Sequence, residues 1–314
     1  MITGGSGIGF LFPGQGSQSV GMGKEMFDQF PVVQKLYHEA QEVLGYDIGQ
    51  ICFEGPAQQL NQTEFTQPAL LLTSWAAFQL VKNGPFQPAA VAGHSLGEYT
   101  ALVAGGGLGF RDAVELVQKR GRYMAEAVAP ESGLVAAILG LSEEEVRQVC
   151  REAEQAGVVA PANLNSPGQT VIAGEKKAVE KALEIAKVRG ARRVMPLPVS
   201  VPVHTPLMQA AADRLKKDID SLPWSDLKVP LINNVEAKAI QSAEEVRASL
   251  VKQLPSPVRW QDTILTMWER GIVHFIEIGP GKVLTGLVKR IVPDAKTWNV
   301  YDRPSYDQVC TQLV

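Results

Sequence analysis

The 314-residue sequence has only three cysteines, Cys52, Cys150 and Cys310, and they stand far apart with no CxxC pair. That excludes a disulfide scaffold, argues against a zinc site and fits a reducing compartment. Neither sign of charge is in excess: 30 lysines and arginines against 33 aspartates and glutamates leave a formal charge of −3. A dedicated nucleic-acid binder carries a basic excess, so that class is set aside, although a local basic patch is not. Long apolar runs are missing as well. The most apolar stretch, 69–81, is broken by Thr73, Ser74 and Gln79 and is too short to span a bilayer. No side-chain cation precedes Lys24, so the charged start of a secretory signal is lacking, and a cytoplasmic protein without membrane contact is expected. Nucleotide-binding loops fail too. Thr3-Gly4-Gly5-Ser6-Gly7-Ile8-Gly9 leaves no room for a preceding strand, Gly14-Gln15-Gly16-Ser17-Gln18-Ser19 ends on serine where a third glycine belongs, and neither holds a Walker lysine. A nucleotide-dependent oxidoreductase is weakened accordingly.

What is present is an ordinary globular composition, 45% apolar and 20% charged. Such a length suggests about two domains, or one large α/β domain carrying an insert. Short apolar runs at 9–12, 89–92, 229–232 and 273–278 read as strands. Amphipathic patterns at 30–44, 68–81, 111–127, 206–222, 243–254 and 282–291 read as helices, with Gly45 as a stop and Pro68 and Pro206 in first turns. Strands alternating with helices predict a mostly parallel sheet. The middle differs. Strand 134–139, a helix opened by a Ser142/Glu145 capping box, strands 158–162 and 170–173, helix 176–188 and strand 192–199 give βαββαβ, the ferredoxin-like plan. The expectation is a small ferredoxin-like domain at 130–198 inserted in a large α/β domain made of 1–129 and 199–314.

Gly93-His94-Ser95-Leu96-Gly97 is a G-x-S-x-G pattern lying between a strand and a helical run at 98–104. Small flanking residues let a serine hydroxyl project from a tight strand-to-helix turn, and the next N–H, that of Leu96, then faces a developing oxyanion. The plain alternative is a glycine-rich turn with an incidental serine. Four histidines are available as a base. His38 falls on a helix surface, His274 reads as a satisfied core residue of an apolar strand, and His94 adjoins the serine but points elsewhere. His204, in Pro202-Val203-His204-Thr205-Pro206, stands at a loop-to-helix junction where Thr205 can cap and the helix N-terminus keeps an imidazole neutral. A purely structural role there is the alternative. Arg120 shares an apolar helix stripe with Ala113, Val117 and Met124, whereas Lys119 and Arg122 lie off it. A guanidinium so placed calls for an anion, a carboxylate above all, although an internal ion pair or snorkelling would also account for it.

Taken together, Phe12-Pro13-Gly14-Gln15-Gly16-Ser17-Gln18, Gly93-His94-Ser95-Leu96-Gly97-Glu98-Tyr99, Arg120-Gly121, Asn165-Ser166-Pro167-Gly168-Gln169, Val201-Pro202-Val203-His204, Gln253 and Phe275-Ile276-Glu277-Ile278-Gly279-Pro280-Gly281 resemble the malonyl-CoA:acyl carrier protein transacylases. The resemblance runs in order along nearly the whole chain. It implies a hydrolase-like α/β domain with a ferredoxin-like insert, Ser95 as nucleophile and His204 as base. It further implies oxyanion donors from the N–H groups of Gln15 and Leu96, Arg120 on the malonyl carboxylate, and the Gln253 carbonyl fixing the imidazole. Val203 departs from the serine that many bacterial relatives carry before the histidine, and Thr205-Pro206 departs as well; both bear on acyl selectivity. Malonyl-CoA and acyl carrier protein are the implied partners, with no metal, nicotinamide or flavin. Carrier proteins are typically acidic, so Lys176, Lys177, Lys187, Arg189, Arg192 and Arg193 are docking candidates, or else a merely solvated face. A monomer is the default expectation. The competing classes are a serine esterase or thioesterase that uses the same dyad and a non-enzymatic carrier-protein scaffold.

Overall fold

A computed structural model describes residues 7–129, 131–199 and 201–313. Residues 3–6 of the glycine-rich start and Pro130 at the expected domain boundary lie outside the described residues. Among the described residues the strands are β1 (Gly7–Phe12), β2 (Pro88–Gly93), β3 (Gly133–Leu139), β4 (Val159–Ser166), β5 (Gln169–Glu175), β6 (Arg193–Pro196), β7 (Leu231–Ile232), β8 (Ala239–Ile240), β9 (Ile272–Ile278) and β10 (Lys296–Val300). They form two sheets.

The larger sheet has the order β10-β9-β1-β2-β7-β8, with every neighbouring pair parallel except β7 with β8. A parallel sheet is covered on both faces, and its central strands β1 and β2 are accordingly apolar throughout. In β1, Phe10 and Phe12 enter one core, while Leu11 enters the opposite one with Trp260 and Phe275. Helices Thr63–Val81, Gly97–Gly105 and Phe110–Glu126 pack in the first core, and helices Trp260–Glu269 and Val283–Ile291 in the second.

The smaller sheet, β4-β5-β3-β6, is antiparallel throughout. With helices Glu143–Ala153 and Lys176–Val188 it makes the expected βαββαβ unit, and the Ser142/Glu145 capping box is formed. Along β3 the side chains alternate: Ala136 and Ile138 meet the two helices, while Val135 and Ala137 face the other way. Val258 links the two sheets, since its carbonyl accepts from Leu164 N (2.9 Å) and its N–H donates to Ala162 O (2.9 Å).

Several expectations need correction. The helix expected to begin at Pro68 begins at Thr63, with the proline inside it. The extra turn is held by a close helix crossing, where a Cβ on Gly121 would stand 2.7 Å from the Thr63 carbonyl oxygen. The strand expected at 229–232 shortens to β7, because Pro230 has no N–H to donate and offers only its carbonyl, to Val91 N (2.9 Å). The strand expected at 192–199 shortens to β6. β8, β10 and the helix Arg303–Leu313 carry too little apolar periodicity to be foreseen. His274 is neither buried nor satisfied: it is half-exposed, stacked on Trp298 at 5.4 Å, with Nδ1 unpartnered. His38 is exposed, as expected.

Candidate active site

The loops after β1 and β2 come together at the carboxyl end of the parallel sheet. A Cβ on Gly14 would lie 2.2 Å from the His94 carbonyl oxygen, one on Gly93 would lie 1.9 Å from the Gly97 carbonyl carbon, and one on Gly97 would lie 2.0 Å from the Phe12 carbonyl oxygen. Glycine is therefore required here by space. Ser95, between Gly93 and Gly97, has φ 52°, in the left-handed region that side chains avoid. Holding a serine there costs about 1–3 kcal/mol and calls for support from its neighbours. Neither Gln15 N–H nor Leu96 N–H has a hydrogen-bond partner among the described residues, and both residues line the same cavity as Ser95.

His204 stands in the loop before a single 3-10 turn, Pro206–Met208, and its own φ is 60°. Its Nε2 is 2.7 Å from Ser95 Oγ and its Nδ1 is 3.0 Å from the Gln253 main-chain oxygen. A carbonyl only accepts, so the ring proton is on Nδ1, and Nε2 is left to accept from the serine hydroxyl. Burial, and next the positive charge of Arg120, push the His204 pKa down to about 3. The neutral imidazole was expected, but its cause is burial beside a cation rather than a helix N-terminus. Thr205 does not cap either: its hydroxyl donates back to the Pro202 oxygen (2.7 Å) and ties the loop.

Arg120 comes from the helix Phe110–Glu126, and Ala113, Val117, Arg120 and Met124 are all buried. Nη1 donates to Gln67 Oε1 (2.8 Å), and Nη2 donates to Gln253 Oε1 (3.0 Å) and to Ser95 Oγ (3.1 Å). The guanidinium lies over the Tyr99 ring at 5.2 Å, and among the described residues no acid lies within ion-pairing distance of it. A buried cation held only by neutral partners, two amides and a hydroxyl, is suited to receive an anion. The cavity, about 100 Å³, lies between this cluster and the inward face of the smaller sheet, with Val135, Val171, Leu197, Val199 and Val203 as apolar walls.

The acyl transferase domain family matches residues 9–303. Over 297 residues the chain is 48% identical to a malonyl CoA-acyl carrier protein transacylase of Escherichia coli (strain K12), covering 94% of this chain and 96% of that protein. The chain belongs to the acyl transferase domain family. Among solved structures, the malonyl CoA-acyl carrier protein transacylase (FabD) from Coxiella burnetii is 45% identical, with a TM-score of 0.95 and 98% of both chains covered. A chain in the structure of a type II PKS acyl-carrier protein in complex with its malonyl-transacylase also matches, at 45% identity and TM-score 0.95, covering 98% of this chain and 100% of that one.

All six expected site residues of this acyl transferase domain meet within one cluster. Several partners were not foreseen. Gln67 is a fully buried amide near the start of a helix that also buries Thr63, Thr66, Thr73 and Ser74, so its sequence neighbours did not set it apart. The Gln253 side chain joins its carbonyl at the site, since Nε2 donates to the Ser95 oxygen (3.0 Å). His94 turns away from Ser95 Oγ, as expected, yet it reaches Asn165 Oδ1 (2.8 Å) on β4 and so ties the turn to the smaller sheet. The six basic docking candidates are all exposed, but they form two groups rather than one. Lys176 and Lys177 open a 13-residue helix, while Lys187, Arg189, Arg192 and Arg193 lie at or beyond its other end, about 20 Å away. Arg189 is paired with Glu152. No cluster able to hold a metal ion occurs among the described residues, and none of their helices is long and apolar enough to cross a membrane.

Proposed function

We propose that this chain transfers a malonyl group from malonyl-CoA to the phosphopantetheine thiol of acyl carrier protein, through an ester on Ser95. The observation that carries this reading is a single hydroxyl within hydrogen-bond distance of both a neutral imidazole (2.7 Å) and a buried guanidinium that has no acid partner among the described residues (3.1 Å). His204 Nε2 takes the serine proton as Oγ attacks the thioester carbonyl. The N–H groups of Gln15 and Leu96 receive the oxyanion, each worth about 3–4 kcal/mol in comparable sites. The carbon–sulfur bond breaks, and His204 returns the proton to the departing CoA sulfur. The carrier-protein thiol then enters, loses its proton to His204 and removes the malonyl group by the same steps in reverse. Arg120 receives the free carboxylate of the malonyl group, for which a planar two-pronged donor is suited. No cofactor takes part in these steps.

The carrier protein is proposed to dock on the basic group at the β6 end, Lys187, Arg192 and Arg193, acting on a monomer in the cytoplasm. The proposed catalytic domain is 1–129 with 199–314, and the proposed insert is 130–198. Intact-mass measurement tests the core of the reading. Malonyl-CoA should add one malonyl group to the wild-type chain and none to Ser95→Ala, and holo carrier protein should remove it. Release of free malonate at the same rate with and without carrier protein would instead make the protein a thioesterase.

A further inference from the structure

We infer that Asn234 is a positioning residue for the Ser95 turn, its side-chain carboxamide standing in for a peptide group just beyond the end of the β2–β7 ladder. The inference rests on the reading of Ser95 as the acylated hydroxyl. The ladder itself is short, with Val91 in register with Leu231 and Val91 N donating to Pro230 O at 2.9 Å. Past it the chain turns sharply, so Gly93 C=O and Ser95 N–H have no strand to pair with. Asn234 serves both: Nδ2 donates to Gly93 O (2.8 Å) and Oδ1 accepts from Ser95 N (2.8 Å). One amide thus spans the residue before the turn and the residue held at φ 52°.

Asn234 is itself held on the side away from the cavity. It is fully buried, its N–H donates to Glu98 Oε2 (2.8 Å), and its carbonyl accepts from Arg259 N (2.9 Å). Glu98 is also fully buried, in the first turn of the helix that follows the serine. Asn234 does not line the cavity, and it meets the site through Ser95 N and, more distantly, through Gln253 Nε2, which donates to its Oδ1 at 3.4 Å. Two consequences follow. The Ser95 N–H is occupied and cannot serve the oxyanion, which leaves that task to Leu96 and Gln15. Removing the carboxamide would orphan two buried main-chain groups and free a strained turn, so the hydroxyl would lose its line to His204.

Rapid-quench acylation by malonyl-CoA tests this in Asn234→Ala and Asn234→Asp, beside the wild type and Ser95→Ala. In Asn234→Ala the burst should still approach one malonyl group per folded chain, with a rate at least about 50-fold lower and a malonyl-CoA KM within about threefold. Asn234→Asp keeps an acceptor for Ser95 N–H but can donate to Gly93 O only when protonated. Its rate should therefore fall as pH is raised from about 5 to 9, with Glu98, Arg120 and His204 as the charged or titratable neighbours, and the wild type should not share that fall. A wild-type rate in Asn234→Ala, or fewer acylated chains at an unchanged rate, would overturn the inference. If the alanine variant does not fold, an aspartate profile parallel to the wild type overturns it. An adduct on Ser95→Ala would overturn the reading of Ser95 and the clamp together, whereas the other outcomes bear on the clamp alone.

Discussion

Arg120 and His204 impose opposite demands on one another. A guanidinium within reach of the serine oxygen suits an anionic substrate, and the same charge disfavours protonation of the base. With burial the larger cause and Arg120 the next, the imidazole pKa is held at about 3, against an ordinary value near ~6.5. The rate of Ser95 acylation should therefore show no loss from His204 protonation between about pH 5 and 7. In Arg120→Ala the positive neighbour is gone, and the acid limb should move upward; a pH profile of kcat/KM checks the direction. The same variant tests selectivity. A buried donor fork left without its anion penalises acetyl-CoA, and such sites discriminate by up to ~10⁴-fold. Arg120→Ala should cut kcat/KM for malonyl-CoA by at least about 100-fold and narrow the malonyl-to-acetyl ratio, measured with both thioesters. An unchanged ratio would remove Arg120 from substrate choice.

At the scale of elements, the strand-turn-helix unit works by close approach. Gly97→Ala would set a methyl carbon 2.0 Å from the Phe12 oxygen, a backbone atom that cannot rotate away. Unfolding in denaturant should show a loss of about 2 kcal/mol or more, and acylation should fall with it. The same helix buries Glu98, whose pKa burial pushes up to about 7 despite the hydrogen bond from Asn234 N. A folded pKa raised above the unfolded value of ~4.3 gives stability that is complete below that value and lost as pH rises through about 7. Glu98→Gln keeps an acceptor for Asn234 N–H and removes the titration, so its melting temperature should decline less than the wild type's between pH 5 and 8. Equal declines would show that Glu98 does not titrate there. These elements also mark what the sequence could tell. Ser95 between its glycines and Arg120 on its stripe are local patterns, legible because their spacing is set by one turn or one helix. Gln67 and Asn234 meet their partners Arg120 and Gly93 across 53 and 141 residues, so no spacing reveals them. The helix carrying Gln67 was misjudged for the same reason, its first turn being fixed by Gly121 of another helix. Gln253 rests on family resemblance alone, whereas His204 is also legible at its loop-to-helix junction, although burial rather than a helix end keeps it neutral.

For the whole molecule the charge is −3, yet an acidic carrier protein has to approach the cavity. Net charge matters less here than where the unpaired cations stand relative to the cavity mouth. Of the six basic residues, Arg189 is neutralised by Glu152, and Lys176 and Lys177 sit at the far end of their helix. Arg192 and Arg193, exposed and unpaired among the described residues, open β6, and the chain continuing from β6 supplies Leu197 and Val199 to the cavity wall. Arg290 joins them through its hydrogen bond to Gln169, at the turn where Gly140 packs against Arg192. Surface charge and cavity wall thus share one strand but lie toward its two ends, Arg193 pairing with Leu139 and Leu197 N donating to Val135 O (2.8 Å). Arg192→Glu with Arg193→Glu should raise the carrier-protein KM by about tenfold at low salt and leave kcat within about twofold. Lys176→Glu with Lys177→Glu should change neither appreciably. Screening shortens from ~10 Å at 0.1 M to ~3 Å at 1 M salt, so the KM difference between wild type and the arginine variant should shrink as salt is added. A steady-state titration of holo carrier protein at two ionic strengths decides it. An unchanged KM in the arginine pair, or an equal rise in the lysine pair, would move the docking face elsewhere on the molecule.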